Sequence, residues 1–149
     1  MAAFDVKRAL LEGVAIAPAD PNNFTGEVWA AVVTRGVPAE HCRLHLVQFA
    51  PRARTTWHTH EFVQHLIVLE GNAVVGFEKA PATVLRRGES IRIEPGTLHW
   101  HGAAPDGPMA HLAVNFAGTT DWDHPPVADS DYAAAVQPPN RPVAQSPSS

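Results

Sequence analysis

Two histidines one residue apart, His58 and His60, followed four residues later by Gln64, carry the spacing of a metal-binding segment. On an extended strand, residues i and i+2 project to the same side, so both imidazoles can reach one point. Gln64 keeps that parity, and its amide oxygen reaches the same point if the chain stays roughly extended. A fourth donor, His99, stands just past the turn at Pro95-Gly96. Three imidazoles and one oxygen suit a divalent transition ion, with Zn, Mn and Fe as candidates, rather than Ca or Mg. Four protein ligands on an octahedral ion leave two positions for water or substrate. The bland alternative is a pair of surface histidines in a polar loop. Against it stands the next segment, an apolar run over residues 65–69 closed by Glu70-Gly71, which reads as a strand holding the motif in a fold.

The fourth ligand bears on the chemistry. A carboxylate at position 64 would cancel one unit of the ion's charge, whereas the amide of Gln64 leaves it whole. The ion is then a stronger Lewis acid, and its higher oxidation state is disfavoured. Both effects favour polarising a carbonyl, or stabilising an enolate or alkoxide oxygen, over oxygen redox chemistry. Such an ion needs a proton carrier beside it. His111 shares strand parity with Ala113 and Asn115, and His101 shares a face with His99. Both are candidate catalytic groups, each with a plain alternative as a wall residue. His45, Val47, Phe49 and Asn115 are the candidate substrate-pocket residues, and His45 is an alternative to Gln64 as fourth ligand. Further apolar lining is expected from Val75, Phe77 and either Leu66 or Ile67, depending on which strand face turns inward. His65 falls on the face opposite Gln64 and reads as structural. His41 and His124 read as loop residues, and Trp57 and Trp100 as sheet packing.

The elements that must position these groups are short strands. Strand signals at residues 24–34, 42–49, 62–70, 73–78, 83–86, 90–94 and 109–116 are separated by turn residues, with a hairpin signal at Gly71-Asn72. Evenly spaced short strands predict an all-β fold, an antiparallel β-sandwich or jelly-roll barrel. The chain divides into an N-terminal arm at 1–24, a barrel at 25–118, a C-terminal extension at 119–136 and a disordered Pro/Ser-rich tail at 137–149. Residues 4–11 of the arm fit a short helix or an edge strand. Residues 129–136 fit one or two helical turns with Asp129 or Ser130 as N-cap.

At 149 residues, 45% hydrophobic and 17% charged, the chain has material for one domain with a real core. A net charge of -4 offers no basic stripe for nucleic acid. The single cysteine, Cys42, rules out an intrachain disulfide, fits a reducing compartment and reads as a small packed residue rather than a nucleophile. No apolar run approaches a membrane span, and the N-terminus lacks a signal-peptide core, so a cytoplasmic protein with no membrane partner is expected. The expected partner is a small-molecule substrate.

The two histidine blocks resemble the two motifs of the cupin superfamily. The first, G-x5-H-x-H-x3-4-E-x6-G, is matched by His58, His60 and Gly71, with Gln64 in place of the glutamate and Arg52 in place of the leading glycine. The second, G-x5-P-x-G-x2-H-x3-N, is matched by Gly88, Gly96 and His99, with Glu94 at the proline position, Pro95 one later and Ala103 for the asparagine. The likeness covers roughly residues 43–117 and implies the cupin barrel and a metal site. It says little about the reaction, because dioxygenases, isomerases, decarboxylases, cyclases and binding proteins share that fold. A narrower likeness rests on the run from Arg54 to His60, on Gln64, on residues 99–103 and on Met109-Ala110-His111. It is to small bacterial cupins that include manganese-dependent hydroxynitrile lyases. It implies metal ligation by His58, His60, Gln64 and His99, and acid/base work by His111. The zinc-dependent aromatic polyketide cyclases of the cupin type are a second group of this size. Sandwich edges and family habit imply a homodimer. The function expected is Lewis-acid activation of a carbonyl or enolate oxygen for C–C bond making or breaking, by aldol-type cyclisation or cyanohydrin cleavage. A non-haem dioxygenase or isomerase, and a non-enzymatic small-molecule binder, are the alternatives.

Overall fold

A computed structural model describes residues 16–34, 38 and 41–137. The expected helix or edge strand at 4–11 and the tail from 138 onward lie outside the described residues. Alternating apolar positions and turn residues produce short strands: β1 (Ala17–Pro18), β2 (Phe24–Thr25), β3 (Val28–Val32), β4 (Cys42–Phe49), β5 (Arg54–Thr55), β6 (Thr59–His60) and β7 (Gln64–Glu70). They continue with β8 (Ala73–Phe77), β9 (Thr83–Leu85), β10 (Ser90–Ile93), β11 (His99–Ala103), β12 (Met109–Phe116) and β13 (Thr120–Asp121). The strands form a six-stranded sheet in the order β1-β3-β4-β12-β7-β10, a five-stranded sheet in the order β2-β5-β11-β8-β9, and a small β13-β6 ribbon. Every pairing is antiparallel. The all-β sandwich expected from the strand signals is the fold observed.

The two large sheets share one core. Val28, Val47, Phe49, Leu66, Val68, Ile93 and Met109 from the first meet Ala73, Val75, Leu85 and Ala103 from the second. Burying each large apolar side chain contributes about 1.5–3 kcal/mol relative to leaving it in water. In β7 the inward set is Gln64, Leu66 and Val68, which settles the choice between Leu66 and Ile67 in favour of Leu66. Leu66 and Val75 are core residues and Phe77 packs against that core; contrary to expectation, none of the three lines the cavity described below. The expected strand at 24–34 is two strands in different sheets. Gly26 turns the chain between them at φ 85°, where its missing Cβ would come within 2.9 Å of Ala53 Cβ. Gly71 closes the β7-β8 hairpin at φ 73°, against Pro108 O.

The C-terminal helix, Asp129–Val136, packs on the outer face of the five-stranded sheet. Its N-cap is Ala128, not Asp129 or Ser130, because Asp129 lies inside the first turn and accepts a bond from Arg54 at 2.7 Å. Arg54 is buried, donates also to Val127 O at 2.8 Å, and lies 4.8 Å from the Tyr132 ring centroid. Tyr132 donates to Ala103 O at 2.8 Å and packs with Trp100 and Val74. Trp100 and Trp57 are therefore sheet-to-helix packing residues. His65 faces outward beside Phe116, with ring centroids 6.0 Å apart. Among the described residues no helix is long and apolar enough to cross a membrane.

Candidate metal centre and cavity

His58 and His99 face each other across an antiparallel bridge and exchange both backbone hydrogen bonds, His58 N to His99 O at 3.0 Å and His99 N to His58 O at 3.1 Å. This pairing brings their ring centroids to 4.3 Å, with the planes tilted by 53°. His60 follows in β6. Its carbonyl accepts from Gly96 N at 2.9 Å, so the Pro95-Gly96 turn is anchored to the first motif. Ligand nitrogens of His58, His60 and His99 all lie within 4.8 Å of one another, a group that could hold a metal ion.

Each ring is oriented by its other nitrogen. His58 Nδ1 donates to Thr56 O at 2.8 Å, and His99 Nδ1 donates to Thr97 O at 2.8 Å. His60 Nδ1 bonds the Thr120 hydroxyl at 2.9 Å. With the Nδ1 protons of His58 and His99 committed to carbonyls, Nε2 of each neutral ring carries a lone pair, the form a metal requires. Burial is the main reason these rings stay neutral. It pushes His58 well below its ordinary value, with the neighbouring His99 adding to the effect. Burial and then His99 lower His60 to about 4, and burial lowers His99 to about 4.

Gln64 reaches the cluster by a route other than the extended chain supposed from parity. The chain bends at Glu61 and Phe62, and Gln64 enters as the first residue of β7, beside Asn115 of β12. Gln64 Nε2 donates to Asn115 Oδ1 at 2.7 Å, which turns Oε1 towards His99 Nε2 at 3.2 Å. Two lone-pair acceptors thus face each other in a buried site. A cation held by both is the arrangement that reconciles them. His60 Nε2 is likewise buried without a protein partner. The donor set of three imidazoles and one amide oxygen fits a divalent transition ion.

Beside this group lies a second one. His111 Nε2 and His101 Nδ1 are 2.9 Å apart, while His101 Nε2 and His111 Nδ1 are buried without partners. The two rings share a single hydrogen between them in that contact. Phe49 packs on His111 with centroids 5.1 Å apart, behind the cavity wall rather than on it. Burial holds His111 at about 4, and burial followed by His111 holds His101 well below its ordinary value. Both histidines, with His58, His60 and Gln64, border one cavity of about 450 Å³, a size suited to a small ligand. Of the expected pocket residues, His45, Val47 and Asn115 also line it.

A match of residues 45–115 to the cupin domain model accompanies this geometry. A curated relative, the (R)-mandelonitrile lyase of Granulicella tundricola, is 44% identical over 90 residues, 58% of this chain and 67% of that protein. The chain belongs to the cupin superfamily. Among solved structures, a cupin-like protein from Thermotoga maritima superposes with TM-score 0.77 and 31% identity over 81% of this chain and 93% of that one. The polyketide cyclase RemF from Streptomyces resistomycificus superposes with TM-score 0.56 and 19% identity over 70% and 75% of the two chains, a likeness of fold.

Several cavity residues of this cupin were not singled out from the sequence. Trp122 lies over His58 with centroids 4.3 Å and planes 30° apart, and itself meets Phe24. Thr120 orients His60, and Asp20 stands at the rim. They come from the segments flanking the expected barrel, where no periodicity marks an inward face. Arg43 also lines the cavity, and its parity with His45 on β4 was the available signal.

Proposed function

We propose that this cupin is a metal-dependent lyase or cyclase that makes or breaks a C–C bond beside a carbonyl or hydroxyl oxygen, with cyanohydrin cleavage and aldol-type cyclisation as the two members of that class. The observation that carries this reading is the placement of two histidine groups at one cavity: the donor set, of which His58, His60 and Gln64 line the cavity and His99 lies buried behind it, and the His101–His111 pair. The 44% identity to a mandelonitrile lyase supports the lyase member. When bound, a divalent ion supplies Lewis-acid polarisation of the substrate oxygen, and the neutral Gln64 preserves its charge.

The chain's own residues do the rest. Neutral His111, backed by His101, accepts the hydroxyl proton of a cyanohydrin. The C–C bonding pair then leaves with the cyanide carbon, the hydroxyl carbon becomes the aldehyde carbonyl, and the proton is returned to the departing cyanide. The 2.9 Å contact between His101 and His111 lets the pair spread the acquired charge over two rings. Val47, Ala30 and Phe24 give the cavity an apolar stretch of wall that helps to exclude water from the reacting carbon.

Elemental analysis of the purified protein, followed by benzaldehyde release from mandelonitrile, tests this. His99→Ala should lose the metal. His111→Ala should keep it and lower turnover by about 10²–10⁴-fold. Full metal in the first variant removes His99 from the ligand set, and unchanged turnover in the second removes His111 from the chemistry. Oxygen uptake with a diketone substrate would instead place the protein among the dioxygenases.

A further inference from the structure

At the end of β4 the cavity contains a cation that the proposed chemistry does not use. Arg43 lies on the inward face of β4, paired in register with Asn115 of β12, and lines the cavity with His45. One of its terminal nitrogens, Nη2, donates to Gly118 O at 3.3 Å. Its Nε is buried and has no protein acceptor. Among the described residues Arg43 forms no ion pair, in contrast to Arg54 and Arg92. Among the described residues the cavity has one carboxylate, Asp20 at its exposed rim, whose Oδ1 already accepts from Asn22 N at 2.9 Å. A guanidinium held in a site with an orphaned donor is costly unless something anionic completes it. Arginine's planar fork matches a carboxylate through paired N–H bonds.

We infer that Arg43 seats a carboxylate carried by the substrate, so that the ligand is a hydroxy or oxo carboxylate with its oxygen function among the histidines and its acid group at the β4 end of the cavity. This rests on the metal-site reading above and narrows its substrate class to members that carry an acid group, which mandelonitrile, the neutral probe of the reaction itself, lacks. Arg43 also props the Gly118 carbonyl, close to the Thr120 that orients His60, so a purely structural role is the competing explanation.

Calorimetric titration of metal-loaded protein with matched acids and amides separates the two. The pairs are glycolate with glycolamide, 3-hydroxypropanoate with its amide, and mandelate with mandelamide. Each amide keeps the hydroxyl and the shape and drops the charge. At least one acid should bind about tenfold or more tighter than its amide, the scale of one charge-assisted contact. In Arg43→Gln, or in Arg43→Met if the first variant does not fold, that preference should fall to about threefold or less, with amide affinity and metal content unchanged. An equal preference in the variants would mean that the ion alone holds the acid, and would overturn the proposal. So would acid and amide weakening together, or no preference in the parent protein. If the protein takes up no metal, the metal reading fails, and the same pairs are titrated into the metal-free chain. An Arg43-dependent preference there still supports the acid seat, and its absence overturns it.

Discussion

At the level of single residues, the centre depends on groups outside the metal-donor set. The Gln64 amide is ambiguous in isolation, since its oxygen and nitrogen can exchange places by a half-turn. Asn115 removes the ambiguity by accepting from Nε2 at 2.7 Å. Asn115→Leu should therefore leave three histidines in place and weaken metal binding by about 10–100-fold, as loss of an orienting partner does elsewhere. Competition with a chelating dye would read this, and unchanged affinity would show that Gln64 is not a ligand. The three histidines were legible in the sequence because their relation is local: an HxH pair, and a residue just past a Pro-Gly turn. The Gln64–Asn115 contact was not legible, because 51 residues separate the two and only the β7-β12 register brings them together.

The turns between strands show which motif positions are backbone demands. Gly71, Gly88 and Gly96 all have positive φ, at 73°, 85° and 72°. Arg52, standing where the first motif has its leading glycine, has φ 69°. A non-glycine residue there carries roughly 1–2 kcal/mol of strain. Glycine lifts that strain and gives back part of the gain through the freedom of the unfolded chain. Arg52→Gly is therefore expected to stabilise the protein by up to about 1 kcal/mol, measured by urea unfolding. A lower midpoint would mean that the Arg52 side chain contributes more than its backbone costs. The departure from the motif was visible in the sequence, whereas its cost was not, because the turn geometry comes from the chain crossing from β4 in one sheet to β5 in the other. The strand order was similarly hidden. Alternation identified β4, β7 and β12, but not that Gly26 sends Phe24–Thr25 and Val28–Val32 to opposite sheets.

For the molecule as a whole, a core that contains so many imidazoles makes stability depend on acid. The folded chain holds His99 and His111 neutral down to about 4, while an unfolded imidazole takes a proton near 6.5. The unfolded state therefore binds more protons between those values. Stability of the metal-free protein should be full above pH 6.5 and fall as pH drops towards 4, by on the order of 3 kcal/mol for each of these two buried rings. A bound ion competes with the same protons, so metal should be released over the same acid range. Thermal melts from pH 8 to pH 4, with and without a chelator, check both. A flat profile without metal would mean that the histidine core opens to water before it titrates.

The indole of Trp122 rests on the imidazole of His58. Any ion drawing electron density from that imidazole alters the environment of the indole above it. The protein thus contains its own optical gauge: intrinsic fluorescence should change in step with metal addition and stop changing at one equivalent. Trp122→Phe should leave the remaining tryptophans, Trp29, Trp57 and Trp100, with little response. Loading, stripping and exchange of the ion could then be followed in real time, without a dye and without knowing the substrate.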